Sequence, residues 1–268
     1  MTAPGGDTTG SPLAGQEAPR HPFTLAIDIG GTGLKASVLD ASGRMVADRV
    51  KVPTTYPMPP DRMVDVLADL VAPLPAFDRL SAGFPGMVRG GRILSAPHFV
   101  TEAGPGTESR PELVDAWSHF DLAAALASRL GCPAKVANDA DVQGAAVVAG
   151  KGLELVLTLG TGYGTALFFD GKLLPHLELA HQRFRKGETY NEQLGEPTRR
   201  LIGDLKWNHR VRKAVAAMRA LTFFDHCYIG GGNARRIDID LGHDVSIVDN
   251  SAGILGGIRL WEGSHLAL

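Results

Sequence analysis

The stretch Leu25-Ala26-Ile27-Asp28-Ile29-Gly30-Gly31-Thr32-Gly33-Leu34-Lys35-Ala36-Ser37-Val38-Leu39-Asp40 decides the fold. A short apolar run that reads as a buried strand breaks at a glycine-rich turn, and a second apolar run follows, closed by Ser42-Gly43. The same plan returns 130 residues later, as Val156-Leu157-Thr158-Leu159, then Gly160-Thr161-Gly162-Tyr163-Gly164, then Thr165-Ala166-Leu167-Phe168-Phe169-Asp170 and Gly171. That offset is the size of one domain, so the chain reads as two similar α/β lobes, each with its glycine turn. Glycine lacks Cβ, so successive backbone N–H groups can converge on an anion. Two such turns facing each other would clamp a phosphate chain. A third turn, Gly230-Gly231-Gly232-Asn233, ends a further apolar run. Ordinary β-hairpins also select glycine, but they account less well for its clustering at the first turn of each copy.

Composition permits this architecture and narrows the function. With 268 residues and 44% hydrophobic residues the chain can bury a normal core, and no apolar run reaches the length needed to span a bilayer. Residues 1–22 read as a disordered Gly/Pro/Thr/Ser leader lacking a signal-peptide core. Cys132 and Cys227 stand apart, which suggests neither a disulfide framework nor a cysteine metal site, so a cytoplasmic protein is expected. The net charge of -2 hides an asymmetry: His181 to Arg219 holds ten basic and four acidic residues, a local +6 that leaves -8 elsewhere. A basic stretch in an acidic protein suggests a polyanionic ligand, or else a solvated helix face, since Trp207 to Leu221 has helical spacing.

The remaining order is αβ throughout. Strands are expected near Leu25–Ile29, Leu34–Asp40 and Met45–Val50, then a helix from Pro59-Pro60-Asp61 to about Leu70. Arg79 to Gly86 reads as a strand ending in the rigid Pro85-Gly86 turn, and Ser95 to Trp117 as a loop. Asp121 is placed to cap a helix that stops at Gly131. The strand Ala134-Lys135-Val136-Ala137 then ends at Asn138-Asp139-Ala140-Asp141, before a helix to about Ala149. A carboxylate held where a buried strand meets a helix points into a cleft, as a general base for a hydroxyl requires, although Asn-Asp is also a common helix cap. Glu178-Leu179-Ala180-His181, followed by Glu192, offers the carboxylates and imidazole that a polyhydroxylated sugar needs.

In this order and over about Phe23 to Trp261, these segments resemble the ROK sugar kinases of the actin/hexokinase/Hsp70 superfamily, and within them the polyphosphate glucokinases. The resemblance implies an α/β, two-lobed actin-like (ribonuclease H-like) fold with duplicated mixed sheets around a cleft. Residues 23–137 would form the N-terminal lobe and 138–268 the C-terminal lobe, the last helix (about 251–262) packing back on the N-terminal one. It implies that Asp139 is the catalytic base and that Asn138, Glu178, His181, Glu192 and the turn Pro85-Gly86 bind the sugar. Phosphates would be bound by Asp28, Gly30, Gly31, Thr32, Gly33 and Lys35, by Gly160, Thr161, Gly162, Tyr163 and Gly164, and by Gly231, Gly232 and Asn233. Asp28 would hold Mg²⁺ through water. Two departures stand out: Ala180 replaces the family's glycine, and the cysteine cluster of zinc-bearing members is missing, so no zinc is expected.

The expected partners are a hexose such as glucose, polyphosphate or ATP as donor, and a second copy of the chain, without nucleic acid or membrane. The basic segment favours polyphosphate, tracked by Arg183, Arg185, Lys186, Arg199 or Arg210, with Arg235 and Arg236 after the third turn. The alternatives are a non-catalytic sugar- or nucleotide-binding regulator on the same scaffold and a strictly ATP-dependent hexokinase of the same family.

Overall fold

The computed structural model describes residues 21–104, 106–248 and 256–262. Nearly all of the expected leader, and residues 251–255 of the expected last helix, lie outside the described residues. The first apolar repeat forms β1 (Thr24–Ile29) and β2 (Gly33–Leu39), followed by β3 (Val50–Pro53), helix α1 (Pro60–Val71), β4 (Arg79–Phe84) and a two-rung hairpin of β5 (Val88–Arg89) and β6 (Arg92–Ile93). Helices α2 (Pro111–Trp117) and α3 (Leu122–Leu130) lead to β7 (Ala134–Asn138) and α4 (Asp139–Ala145). The second repeat forms β8 (Leu153–Leu159), β9 (Tyr163–Phe169) and β10 (Lys172–Leu173). Then come the hairpin β11 (Arg183–Arg185) and β12 (Glu188–Thr189), helices α5 (Tyr190–Leu194), α6 (Glu196–Ile202) and α7 (Asp204–Thr222), β13 (His226–Gly230), β14 (Val245–Ile247) and α8 (Gly256–Glu262).

The duplication is topological. One sheet runs β3-β2-β1-β4-β7 and the other β10-β9-β8-β13-β14. In each, an antiparallel meander is extended by two parallel strands beside the first strand of the repeat. Each sheet buries its own core. Leu25, Ile27 and Ile29 alternate inward from β1 and pack with Leu34, Val38, Met63, Leu67, Phe84 and Trp117. Leu155, Leu157 and Leu159 do the same on β8, against Trp207, Val211, Val215 and Met218 of α7. Both tryptophans satisfy their indole N–H within the core, Trp117 on the Met58 carbonyl and Trp207 on the Leu194 carbonyl.

Local signals set most boundaries. The Asp121 carboxylate accepts from the Ala124 N–H, and Gly131 ends α3 in the left-handed region. Three expectations fail. The third strand starts at Val50 rather than Met45: after the turn that Asp40 closes over Ser42 and Arg44, Met45 makes only an isolated bridge to Leu39. The Ser95–Trp117 stretch contains α2, started by Pro111. Helix α4 stops at Ala145, and the chain beyond it turns its Ala149, Gly150 and Lys151 N–H groups onto the Glu154 carboxylate.

Asp40 accepts from the Ser42 N–H and hydroxyl, at 2.9 and 2.6 Å, and from Arg44 N–H, Nε and Nη2 at 3.0–3.1 Å. Burial would raise its pKa, but these donors outweigh burial and hold the carboxyl down at about 2. A carboxyl depressed on folding stabilises the protein above its unfolded pKa and loses that stabilisation as the pH falls toward 2. Asp40→Asn is therefore expected to lower stability at pH 7 by about 1–2 kcal/mol, allowing for screening of the exposed Arg44. Urea midpoints for the two proteins should converge between pH 5 and 2, and a gap independent of pH would overturn the assignment.

Helix α8 lies on the first sheet. The Ser81 hydroxyl donates to the Gly257 carbonyl (2.6 Å) and accepts from Trp261 Nε1 (2.8 Å), while Lys135 Nζ donates to the Leu260 carbonyl (2.8 Å). Lys135 and Arg79 both stack over the Trp261 ring, at 4.9 and 5.2 Å from its centroid.

Candidate active site

The first repeat, β4 and the β7–α4 junction meet at a cavity of about 140 Å³ whose lining includes Asp28, Lys35, Arg49, Gly83, Asp139 and Gly257. Asp28 is the penultimate residue of β1, and its carboxylate accepts from Lys35 Nζ at 2.9 Å. Both side chains are about half exposed, so Lys35 faces the cavity rather than bulk solvent alone. Asp139 is the first residue of α4, and β4 reaches it at Gly83, where an added Cβ would sit 3.4 Å from the Asp139 Cα. Burial pushes the Asp139 carboxyl up, the Ala140 N–H partly offsets this, and the charges of Asp28, Asp141 and Glu178 add to it, giving a pKa of about 7.

Asn138 plays the cap. Its side-chain carbonyl accepts from the Ala140 N–H at 2.8 Å, and its amide donates to the Gly86 carbonyl at 2.9 Å, tying the Pro85-Gly86 turn to the start of α4. The two readings of Asn138-Asp139 thus divide between the residues, the first capping and the second facing the cavity.

In the first glycine turn the carbonyls of Gly30, Gly31 and Thr32 all accept hydrogen bonds from one side, from Thr54 Oγ1 (2.7 Å), the Tyr56 hydroxyl (2.6 Å) and the Thr54 N–H (3.3 Å). In a trans peptide C=O and the next N–H point oppositely. The N–H groups of Gly31, Thr32 and Gly33 therefore point away from Thr54 and Tyr56, the arrangement an anion needs. Thr54 and Tyr56 carry no sequence signal for this role; only their pairing across β3 reveals it.

The second turn is built differently. The Gly160 carbonyl accepts from the Glu196 N–H and from Asn233 Nδ2, both at 3.0 Å. Tyr163 departs from the expectation: its N–H donates to Asn191 Oδ1 at 3.0 Å and its ring is buried against Tyr190, so neither is presented to a ligand. Asn233 is also buried and binds the second turn, which makes it a brace between the second and third turns.

The sugar-type cluster is partly assembled. Glu178 precedes a single 3-10 turn, Leu179–His181, and the neighbouring His176 leads the causes that depress its carboxyl. His181 is exposed, and its charge acts on both Glu178 and Glu192. The Glu192 carboxylate is already engaged, accepting from the Thr189 N–H (2.7 Å) and hydroxyl (2.9 Å) in a capping box that starts α5. Ala180 fits the buried position where the family has glycine, packed in the second core. His176 and its buried partner Asp141 carry no motif signal; 35 residues separate them in sequence.

Of the basic residues, Arg183 and Lys186 are exposed on the β11–β12 hairpin, with Arg185 half-buried between them. The positive charge of Arg185 acts on Arg210, whose Nη1 donates to the Gln193 carbonyl. Arg235 and Arg236 are exposed on a 3-10 turn after the third glycine turn. Arg199 stands apart, its guanidinium held by Glu196 and Asp204, so its charge is neutralised within α6–α7. Among the described residues no group of three or more His, Cys, Asp or Glu side chains is placed to hold a metal, and no helix is long and apolar enough to cross a membrane.

A model of the ROK family matches residues 24–176. A polyphosphate glucokinase of Mycobacterium tuberculosis is 30% identical over 273 residues, covering 96% of each chain. An N-acetylmannosamine kinase of Escherichia coli O9:H4 is 33% identical over 158 residues, 56% of this chain and 49% of its own. The solved structure of an inorganic polyphosphate/ATP-glucomannokinase from Arthrobacter sp. strain KM superposes with a TM-score of 0.74 at 29% identity, covering 90% of this chain and 98% of that one.

Proposed function

The chain belongs to the ROK family, and from that premise we propose that it is a sugar kinase transferring the terminal phosphoryl group of polyphosphate or ATP to the 6-hydroxyl of glucose or a related hexose. The observation that carries this reading is Asp139, a carboxyl with a pKa of about 7 at the cavity that Asp28 and Lys35 also line. Its task is to take the proton of the sugar hydroxyl as that oxygen bonds to phosphorus and the bond to the donor's bridging oxygen breaks, the electron pair leaving with the shortened donor. Glu178 and His181 hold the ring hydroxyls. The N–H groups of Gly31, Thr32 and Gly33 meet the charge on the transferred group. Asp28 offers the hard oxygen donor that would fit Mg²⁺ bound largely through water and phosphate. When present, that ion neutralises charge on the phosphates.

Polyphosphate is the proposed preferred donor, running along Arg183, Arg185, Lys186 and Arg210, with Arg235 and Arg236 beside the third turn. Engaging four phosphates by these cations should make log kcat/KM fall with log salt at a slope of about -3, a loss of roughly 50-fold from 50 to 200 mM. ATP, with three phosphates and a nucleoside, should lose far less. Initial rates with both donors at the two salt concentrations decide the point. Equal or better kcat/KM with ATP and the same salt slope for both would leave an ATP-dependent hexokinase. Product analysis over a hexose panel including N-acetylmannosamine tests the acceptor, and a chain that bound glucose yet phosphorylated nothing with either donor would be a sensor.

A further inference from the structure

We propose that His176 is a positioning residue of this site: an imidazolium clamped between Asp141 and Glu178 that aims Glu178 at the sugar and ties it to the helix carrying Asp139. The aiming of Glu178 rests on the sugar-kinase reading; the clamp itself does not. His176 and Asp141 are both buried, their side chains 4% exposed, and His176 Nδ1 lies 2.9 Å from Asp141 Oδ1. On the other edge of the ring, Nε2 lies 3.5 Å from Glu178 Oε2, an ion-pair separation longer than a good direct hydrogen bond. A neutral imidazole has one N–H and one lone pair, so it would turn that lone pair toward a carboxylate in a buried place. With both nitrogens protonated, each edge meets opposite charge.

The surroundings agree. Burial alone would lower the pKa of His176, but Asp141 and Glu178 outweigh it and raise it to about 9. The segment is pinned from a third side, since the Thr165 hydroxyl of β9 donates to the Leu177 carbonyl at 2.9 Å. Asp141 comes from the first turn of α4, Glu178 from the ring's own segment, His181 acts on Glu178 from beyond, and Asp139 feels both Asp141 and Glu178. The charges of Asp139, Asp141 and Glu178 act on one another, and His176 is the cation between the last two.

Removing one partner of a buried ion pair strands the other's charge, whereas replacing both partners by neutral groups leaves no stranded charge in that pair. This separates folding from aiming. In the wild-type protein without sugar, ring ¹⁵N shifts of His176 should show both nitrogens protonated at pH 7.5, with titration only above pH 8. A neutral single-tautomer ring at pH 7.5 would overturn the clamp, and this measurement needs no variant to fold. His176→Gln is expected to raise the glucose KM about tenfold with kcat within about threefold. The double variant His176→Gln/Asp141→Asn should melt above either single variant yet keep the raised glucose KM. A double variant with wild-type KM would show that His176 serves folding alone and sink the aiming role. Absence of hexose phosphorylation by the wild type would defeat the kinase reading, while the ring spectrum would still decide the clamp.

Discussion

Asp139→Asn is expected to lower kcat by about 10²–10⁴ while glucose still binds, because the amide keeps the shape of the carboxylate but cannot accept the proton. It also keeps an oxygen for the Ala140 N–H, which the carboxylate accepts at 2.9 Å, so the start of α4 should be undisturbed. The wild-type rate should rise with pH through about 7, where this carboxyl deprotonates, and the residual rate of the variant should lack that limb. The sign for stability is opposite. Folding raises the carboxyl from its ordinary 3.8, chiefly by burying it, so ionising it above pH 7 costs the folded state free energy that an asparagine does not incur. The variant is therefore expected to melt at a higher temperature than wild type at pH 8, with the gap closing as the pH falls toward 4. A variant with wild-type turnover would remove Asp139 from the mechanism. A variant inactive but less stable at pH 8 would mean that the substitution damaged the fold rather than the chemistry. The expected combination, inactive and more stable, is what a functional carboxylate held in an unfavourable environment produces.

What was legible in the sequence is what neighbouring residues dictate. The repeat was visible because β1–β2 and β8–β9 each place a glycine turn between two apolar runs, and the caps at Asp121 and Asn138 were visible because a cap acts on N–H groups two or three residues away. The sheet order was not read from spacing: β1 pairs with β4 and β8 with β13 across 50 residues or more, and only the duplication hints that both halves solve the problem alike. The site was legible in the same partial way. Asp28, Gly83 and Asp139 meet because the parallel strands β1, β4 and β7 all end on the same side of the first sheet. The contribution of Thr54 and Tyr56, which turn the carbonyls of the first glycine turn inward, depends on pairing of β2 with β3 and has no local signature. The same holds for His176. Its ordinary-looking position between two leucine-bearing segments becomes meaningful only when the fold sets it against Asp141. Tyr163, conversely, lies in the second glycine turn but has its N–H consumed by Asn191, a partner from α5 that turn chemistry alone does not foresee.

Gly231→Ala and Gly232→Ala are expected to behave oppositely although the residues are adjacent in the third turn. Gly231 sits at φ 90°, and an added Cβ would lie 2.3 Å from the Leu159 carbonyl oxygen and 2.6 Å from its nitrogen, both backbone atoms of β8 that cannot rotate aside. Left-handed backbone costs a non-glycine residue about 1–2 kcal/mol and overpacking a further 1–3 kcal/mol, so Gly231→Ala should destabilise by about 2–5 kcal/mol. For a chain of this size that is a fall in melting temperature of roughly 5–15 °C. The damage should reach function, because Leu159 also accepts the Asn233 N–H at 2.9 Å, and Asn233 in turn holds the Gly160 carbonyl of the second turn. Pushing the third turn off β8 moves the second, so the donor KM should rise while the glucose KM stays near wild type. Gly232 has no atom within 4 Å of an added Cβ and no left-handed φ, so Gly232→Ala should melt within about 2 °C of wild type. If Gly232→Ala nevertheless raised the donor KM severalfold, its methyl would be meeting a phosphate rather than protein, and the third turn would contact the donor directly. If Gly231→Ala left both melting temperature and donor KM unchanged, the brace from β8 through Asn233 to the second turn would be wrong.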